Sequence, residues 1–273
     1  MYHHVCDEMQ RYVREAPGNR FPDSDQPYFD QPLIGLVAAS DPIWREYQQV
    51  IGPFHRTPQQ LLPGAATVIS WVLPITHATR ESNRSQTDVP SRAWSQTRSF
   101  GDRFNADLRR HLVAWLQQQG YRALAPQLEP SWQELADTPV GIASTWSERH
   151  AAYAAGLGSF SLNDALITPR GIAHRLGSVV TDLALAPTVT ERPGVYDYCL
   201  HYHNGSCGAC IGRCPVGAIS RQGHDKPRCS VYVYTTLTEL LADQYQVPIT
   251  GCGLCQTKVP CEERNPVPVE QIS

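Results

Sequence analysis

The stretch SCGACIGRCPVGAI, residues 206–219, sets Cys207, Cys210 and Cys214 at C-x2-C-x3-C spacing, with Pro215 directly after the last. A common iron–sulfur ligation run is C-x2-C-x2-C-x3-C-P, four cysteines in all. Asn204 stands where the first of those four belongs. The stretch therefore reads as a cluster site whose missing ligand comes from elsewhere, or as part of a zinc site, since tetrahedral sulfur sites serve both.

Working outward, eight of the nine cysteines fall between 199 and 261: Cys199, Cys207, Cys210, Cys214, Cys229, Cys252, Cys255 and Cys261. One four-iron cluster takes four thiolates and two take eight, so the count fits two clusters and leaves Cys6 as a plain thiol in a helix. Cys199 can replace the ligand missing at Asn204, because a longer loop before a C-x2-C pair costs little closure entropy. Cysteines two residues apart share one tight loop and one cluster. The cysteine before proline points away and ligates the other cluster. This rule gives Cys199, Cys207, Cys210 and Cys261 to cluster 1, and Cys214, Cys229, Cys252 and Cys255 to cluster 2. Pro215 can open a helix. Gly208, Gly212, Gly251 and Gly253 are expected to let backbone N–H groups reach cluster sulfurs. His201, His203 and His224 read as loop neighbours of the cysteines, not ligands. The Cys-Pro pair, the third cysteine and the total of eight favour clusters over a zinc staple.

Composition bounds the rest. The chain has 273 residues, 41% hydrophobic and 18% charged, with 22 prolines. The formal net charge is −3, and lysine occurs only at 226 and 258. No strong field for a polyanion is expected, although arginines can still form a local patch. The N-terminus lacks the basic and apolar regions of a secretory signal. No apolar run approaches the ~20 residues that span a bilayer. These features predict a cytoplasmic protein with no membrane association. In that compartment disulfides are rare, which again points the cysteines to metal.

The region to about residue 190 alternates strand and helix signals. PLIGLVAAS (32–40) and TVISWVLP (67–74) read as apolar strands. A helix after Asp41 carries Trp44, Tyr47 and Ile51 on one face and stops at Gly52. Another, within 91–119, carries Phe104, Leu108, Leu112 and Trp115 and stops at Gly120. A further helix is expected near 145–155. Residues 165–185 read as two strands around a Pro–Gly turn. The predicted fold class is α+β: an α/β layered domain over 1–190, then a ferredoxin-like domain with two [4Fe–4S] clusters over 191–273, with 185–198 as connector.

Four segments carry a resemblance: AAYAAGLGSFSLNDALITPRGIAHRLGSVVTDLAL (151–185), CGACIGRCPVGAI (207–219), Arg228–Cys229, and GCGLCQTKVPC (251–261). They resemble the epoxyqueuosine reductases, which are cobalamin-dependent enzymes with two [4Fe–4S] clusters and cores similar to reductive dehalogenases. The resemblance runs from about 32 to 265. Departures from the family pattern are Asn204, the closing C-x2-C-x5-C, and Ser161–Leu162 in place of a Gly-Lys pair. A further departure is FGDRFNADL, where Asp102 stands one residue out of register with the family's catalytic aspartate. C-terminal helical repeats that help the family hold tRNA are absent from the given sequence.

The resemblance implies an iron–sulfur oxidoreductase that passes single electrons to an acceptor in the N-terminal domain, with cobalamin as a candidate cofactor. Asp102 is the candidate proton donor. Gly156, Gly158 and Ser159 are expected to line the acceptor pocket, since glycines permit close backbone approach. The expected partners are an electron donor of the ferredoxin or flavodoxin class and a small-molecule substrate, with tRNA disfavoured by the charge. The alternative is a two-cluster electron carrier or docking module without catalysis of its own. Some 190 residues ahead of the clusters argue against that, because ordering them costs ~1–2 kcal/mol of backbone entropy each.

Overall fold

A computed structural model describes residues 1–189 and 191–268. Strand β1 (Leu33–Ala38) pairs antiparallel with β2 (Thr67–Pro74), in register from Leu33 opposite Val72 to Ala38 opposite Thr67. The short β3 (Ala123–Leu124) and the long β4 (His174–Thr181) complete a sheet of order β1-β2-β4-β3, antiparallel throughout. Every residue of β2 is buried, because helices cover both faces of the sheet.

Side-chain alternation sorts the two faces. Ile69, Trp71 and Leu73 of β2 join Val5, Met9, Phe104 and Leu108 under the helices Tyr2–Glu15 and Asp102–Gln118. Val68 and Val72 join Trp44, Tyr47, Trp146 and Ala151 under Ile43–Val50 and Glu148–Ala154. The layered arrangement agrees with the sequence reading; the mixed helix and sheet architecture is clear.

Two details differ from expectation. The segment 91–119 is not one helix. It breaks into Arg92–Gln96, a π-helical turn at Thr97–Gly101, and Asp102–Gln118. Within the last helix Phe104, Leu108, Leu112 and Leu116 make the fully buried stripe while Trp115 sits at its margin. Secondly, Leu166–Ile167 pairs back with Ser159–Phe160 rather than with β4. The reason lies at Gly171, whose φ is +85° and where an added Cβ would meet the Glu262 carbonyl at 2.2 Å. The chain around Cys261 occupies that edge: Ile172 donates its N–H to the Cys261 carbonyl at 2.9 Å.

Beyond 191 come short helices, Leu200–Asn204, Ala209–Arg213, Lys226–Val231 and Leu237–Tyr245, and a hairpin pairing Ile219–Ser220 with Gly223–His224. A third apolar cluster joins Leu162, Ile167 and Ile172 to Cys199, Ile219 and Val259, so burial is continuous across residue 190.

Candidate functional site

The eight cysteines divide between two cavities. Cys199, Cys207, Cys210 and Cys261 line a small apolar one together with Leu162, Ile172 and Val259. Cys214, Cys229, Cys252 and Cys255 line a larger cavity of about 670 Å³. All eight are free thiols. Burial, then the nearness of Cys199 and Cys207, pushes the Cys210 thiol up to about 11. Burial, then the nearness of Cys229 and Cys214, pushes Cys252 up to about 12. Such thiols stay protonated by themselves, and a bound metal would be needed to draw them to thiolates. Among the described residues no group of three or more His, Cys, Asp or Glu side chains is arranged to hold a metal ion. The sulfurs surround the two cavities.

Local structure explains these positions. Cys199 precedes the helix Leu200–Asn204 and is 7% exposed, while Asn204 ends that helix and bonds the Ser206 N–H. Cys214 follows the helix Ala209–Arg213, and its Sγ accepts the Ala218 N–H at 3.2 Å. Arg213 fastens the loops together. Its guanidinium donates to the carbonyls of Leu254, Thr257, Gln86 and Asn83 at 2.7–3.3 Å. The glycines act differently from expectation. A Cβ on Gly253, whose φ is +62°, would fall 1.9 Å from Trp94, and one on Gly251 would fall 2.9 Å from Arg98. Both glycines make room for side chains of the cavity wall. At Gly208 the nearest neighbour of an added Cβ is Ile211, and at Gly212 there is open space.

Asp102 lies in the wall of the larger cavity, at the first turn after the π-helical break. Its carboxylate pairs with Arg98 and stands 3.1 Å from Arg175 Nε, close enough for charge attraction though not aligned as a hydrogen bond. Burial works against the Arg98 charge, and the Asp102 carboxylate together with the Tyr234 hydroxyl more than offsets it, holding that guanidinium above its ordinary value. Arg98 also donates to Tyr234 Oη at 3.4 Å, from a ring that is half exposed. Arg98 could be read from its i, i+4 spacing to Asp102; Arg175 and Tyr234 arrive from distant elements and carry no sequence signal. His224 also lines this cavity, 3.2 Å from Asp164. His201 lines the smaller one and bonds the Cys207 carbonyl at 3.2 Å. Cys6 sits half-buried in the first helix.

Gly156, Gly158 and Ser159 lie outside both cavities. Gly156 turns the chain after the helix Glu148–Ala154 with φ +72° and faces Val189. Gly158 lies against the Ile167 backbone, and Ser159 is fully buried, its Oγ accepting the Tyr198 N–H. These residues pack the hairpin, so the pocket expectation is corrected. Asn163, four residues on, lines both cavities and donates to the Cys255 carbonyl at 3.0 Å.

This geometry has relatives. The chain is 28% identical to the epoxyqueuosine reductase of Synechocystis sp. over 251 residues, 88% of this chain and 76% of that one. It is 25% identical to that of Bacillus subtilis (strain 168) over 209 residues, 75% and 49%. The chain is epoxyqueuosine reductase-like. It spans about half the length of the Bacillus subtilis relative. A 76-residue stretch, 28% of this chain and 13% of the relative, is 40% identical to a tetrachloroethene reductive dehalogenase of Desulfitobacterium hafniense. No family profile matches this chain. Among solved structures, an epoxyqueuosine reductase with an epoxyqueuosine-modified tRNA stem loop covers 100% of this chain and 70% of its own, at TM-score 0.53 and 21% identity. That neighbour overturns the expectation that tRNA is disfavoured and that the substrate is a small molecule. Net charge averages the whole surface, whereas Arg98, Arg109, Arg149 and Arg175 all line one cavity. Among the described residues no helix is long and apolar enough to cross a membrane.

Proposed function

We propose that the chain is an iron–sulfur reductase in which two four-iron clusters deliver single electrons to an acceptor in the 670 Å³ cavity. Residues 191–273 carry the clusters and residues 1–190 carry most of the acceptor site. Cys199, Cys207, Cys210 and Cys261 hold the outer cluster; Cys214, Cys229, Cys252 and Cys255 hold the inner one. The observation that supports this most is the four-and-four division of the cysteines between cavities, with Asp102 on the wall of the second. Free thiols in such number suit the reducing cytoplasm, where a ferredoxin or flavodoxin would be the electron donor.

The substrate proposed is a tRNA stem loop bearing an epoxide on its modified base, in keeping with the relatives. Removing an epoxide oxygen as water consumes two electrons and two protons, so the site must supply both. Cobalamin is the acceptor cofactor the relatives suggest, and it would supply a strongly reducing metal centre that side chains cannot. The cavity falls within the range of about 300–1,000 Å³ usual for drug-sized ligands. Asp102, fixed between Arg98 and Arg175, is proposed to accept a proton from solvent and relay it to the leaving oxygen.

Iron analysis of anaerobically reconstituted protein tests this. About eight iron atoms per chain are expected, and about four for Cys210→Ala. Zinc in place of iron, or eight irons retained in Cys210→Ala, would overturn the assignment.

A further inference from the structure

Two buried acceptors in the wall of the larger cavity have no partner. His174, at the start of β4, is 7% exposed, and its Nε2 lies 2.7 Å from the Leu166 carbonyl oxygen. A carbonyl can only accept, so Nε2 carries the proton and Nδ1 presents a bare lone pair. That Nδ1 is buried without a hydrogen bond. Burial pulls the imidazole down to about 4, so the ring stays neutral and the lone pair stays available at neutral pH. Glu148 opens the helix that packs on β4. Its Oε1 takes both Arg109 Nε at 3.3 Å and Arg109 Nη2 at 3.1 Å, while Oε2 is buried and unpaired. Arg109 cannot turn to serve it, because its Nη2 also holds Gln127 Oε1 at 2.6 Å and the Leu176 carbonyl at 2.9 Å.

An unpaired buried acceptor costs about 1–3 kcal/mol, and here two belong to residues that line one cavity. We propose that His174 Nδ1 and Glu148 Oε2 form a subsite for N–H or O–H donors on the molecule bound in this cavity. Carboxamides on the rim of a corrinoid and the hydroxyl or amino groups of a modified nucleoside share this chemistry. The inference rests on the reading of the cavity as the acceptor site.

The test uses the full reconstituted chain and measures binding, not turnover. One arm titrates cobinamide, which bears carboxamides, against the heptamethyl ester of cobyrinic acid, in which esters replace them. The other titrates an epoxyqueuosine-modified stem loop. His174→Phe is expected to weaken cobinamide or the stem loop about 10-fold. His174→Asn, which keeps an acceptor, should recover most of that, and Glu148→Gln should weaken the same ligand. If carboxamides are the donors, the ester binds wild type and His174→Phe alike. Unchanged affinity of both ligands in His174→Phe and in Glu148→Gln overturns the subsite alone. Failure of wild type to bind either ligand overturns the cavity reading and the subsite with it.

Discussion

Asp102 is gripped from two sides, by Arg98 from the preceding turn and by Arg175 from β4. Asparagine there keeps the shape and removes the charge and the carboxylate's capacity to relay a proton. Asp102→Asn should lower single-turnover reduction about 10²-fold while iron content is unchanged; full turnover in that variant would remove Asp102 from the chemistry. His55 shows the opposite extreme, a buried ring behind Trp146 and Ser147 in the wall of the larger cavity. It stacks on Trp146 and its Nε2 accepts the Ser147 N–H at 3.3 Å. Burial lowers it to about 4, below an unfolded value near 6.5. Between these limits the unfolded chain takes up a proton that the native state refuses, so stability falls as pH drops from about 6.5 to about 4. At pH 5.5 the loss is about 1.4 kcal/mol. Burial lowers His174 and His150 in the same way, so His55→Gln should remove only about a third of the slope of a melting-temperature profile between pH 7 and 5, and an unchanged slope would refute the attribution.

At the scale of elements, two π-helical turns face each other across the cavity mouth. Thr97–Gly101 presents Arg98, and Tyr232–Thr236 presents Tyr234, with the guanidinium carbon 5.7 Å from the ring centroid. Each inserts a residue into its helix and redirects a side chain, a local cost often found at functional sites. The Cys252–Cys255 loop depends on a third device. Gly253 leaves the space that Trp94 fills, in a left-handed conformation that side chains resist. Gly253→Ala should therefore lift the loop from Trp94 and cost the inner cluster, reducing iron from about eight to about four atoms per chain. Retention of full iron with wild-type stability would show the loop tolerates displacement.

The whole molecule is closed by the segment that bears Cys261. Glu262 is 2% exposed, and its carboxylate takes Arg84 Nε at 2.8 and 2.9 Å and the Lys258 N–H at 2.7 Å. Arg80 and Arg84 also reach Glu263. These contacts tie the helix His77–Arg84 to the segment of the last cysteine, across 178 residues in the case of Arg84 and Glu262. Removing one partner of a buried pair costs about 3–5 kcal/mol, and the partial exposure of Arg84 reduces that to about 2. Glu262→Ala should lower the melting temperature by about 4–8 °C, measured by circular dichroism under anaerobic conditions. No change would mean that Cys261 is held by its cluster alone.

Alternation of apolar residues was enough to place β2 and the helices around Trp44 and Leu108, because burial on two faces leaves a direct imprint on side-chain type. Cysteine spacing likewise named two sets of four, since loop length limits which sulfurs can meet. What the sequence could not carry was any relation set by contact between distant segments. The π-helical break has no periodic signature, and i+3 and i+4 spacing fit the helical stripe equally, so Trp115 is read where Leu116 holds the place. The glycines at 156 and 158 look the same in sequence whether they admit a ligand or a neighbouring strand. Arg175, Tyr234 and the free lone pair of His174 meet at one cavity only because folding brings β4, the π turns and the cysteine loops together, and that proximity is a property of the tertiary structure alone.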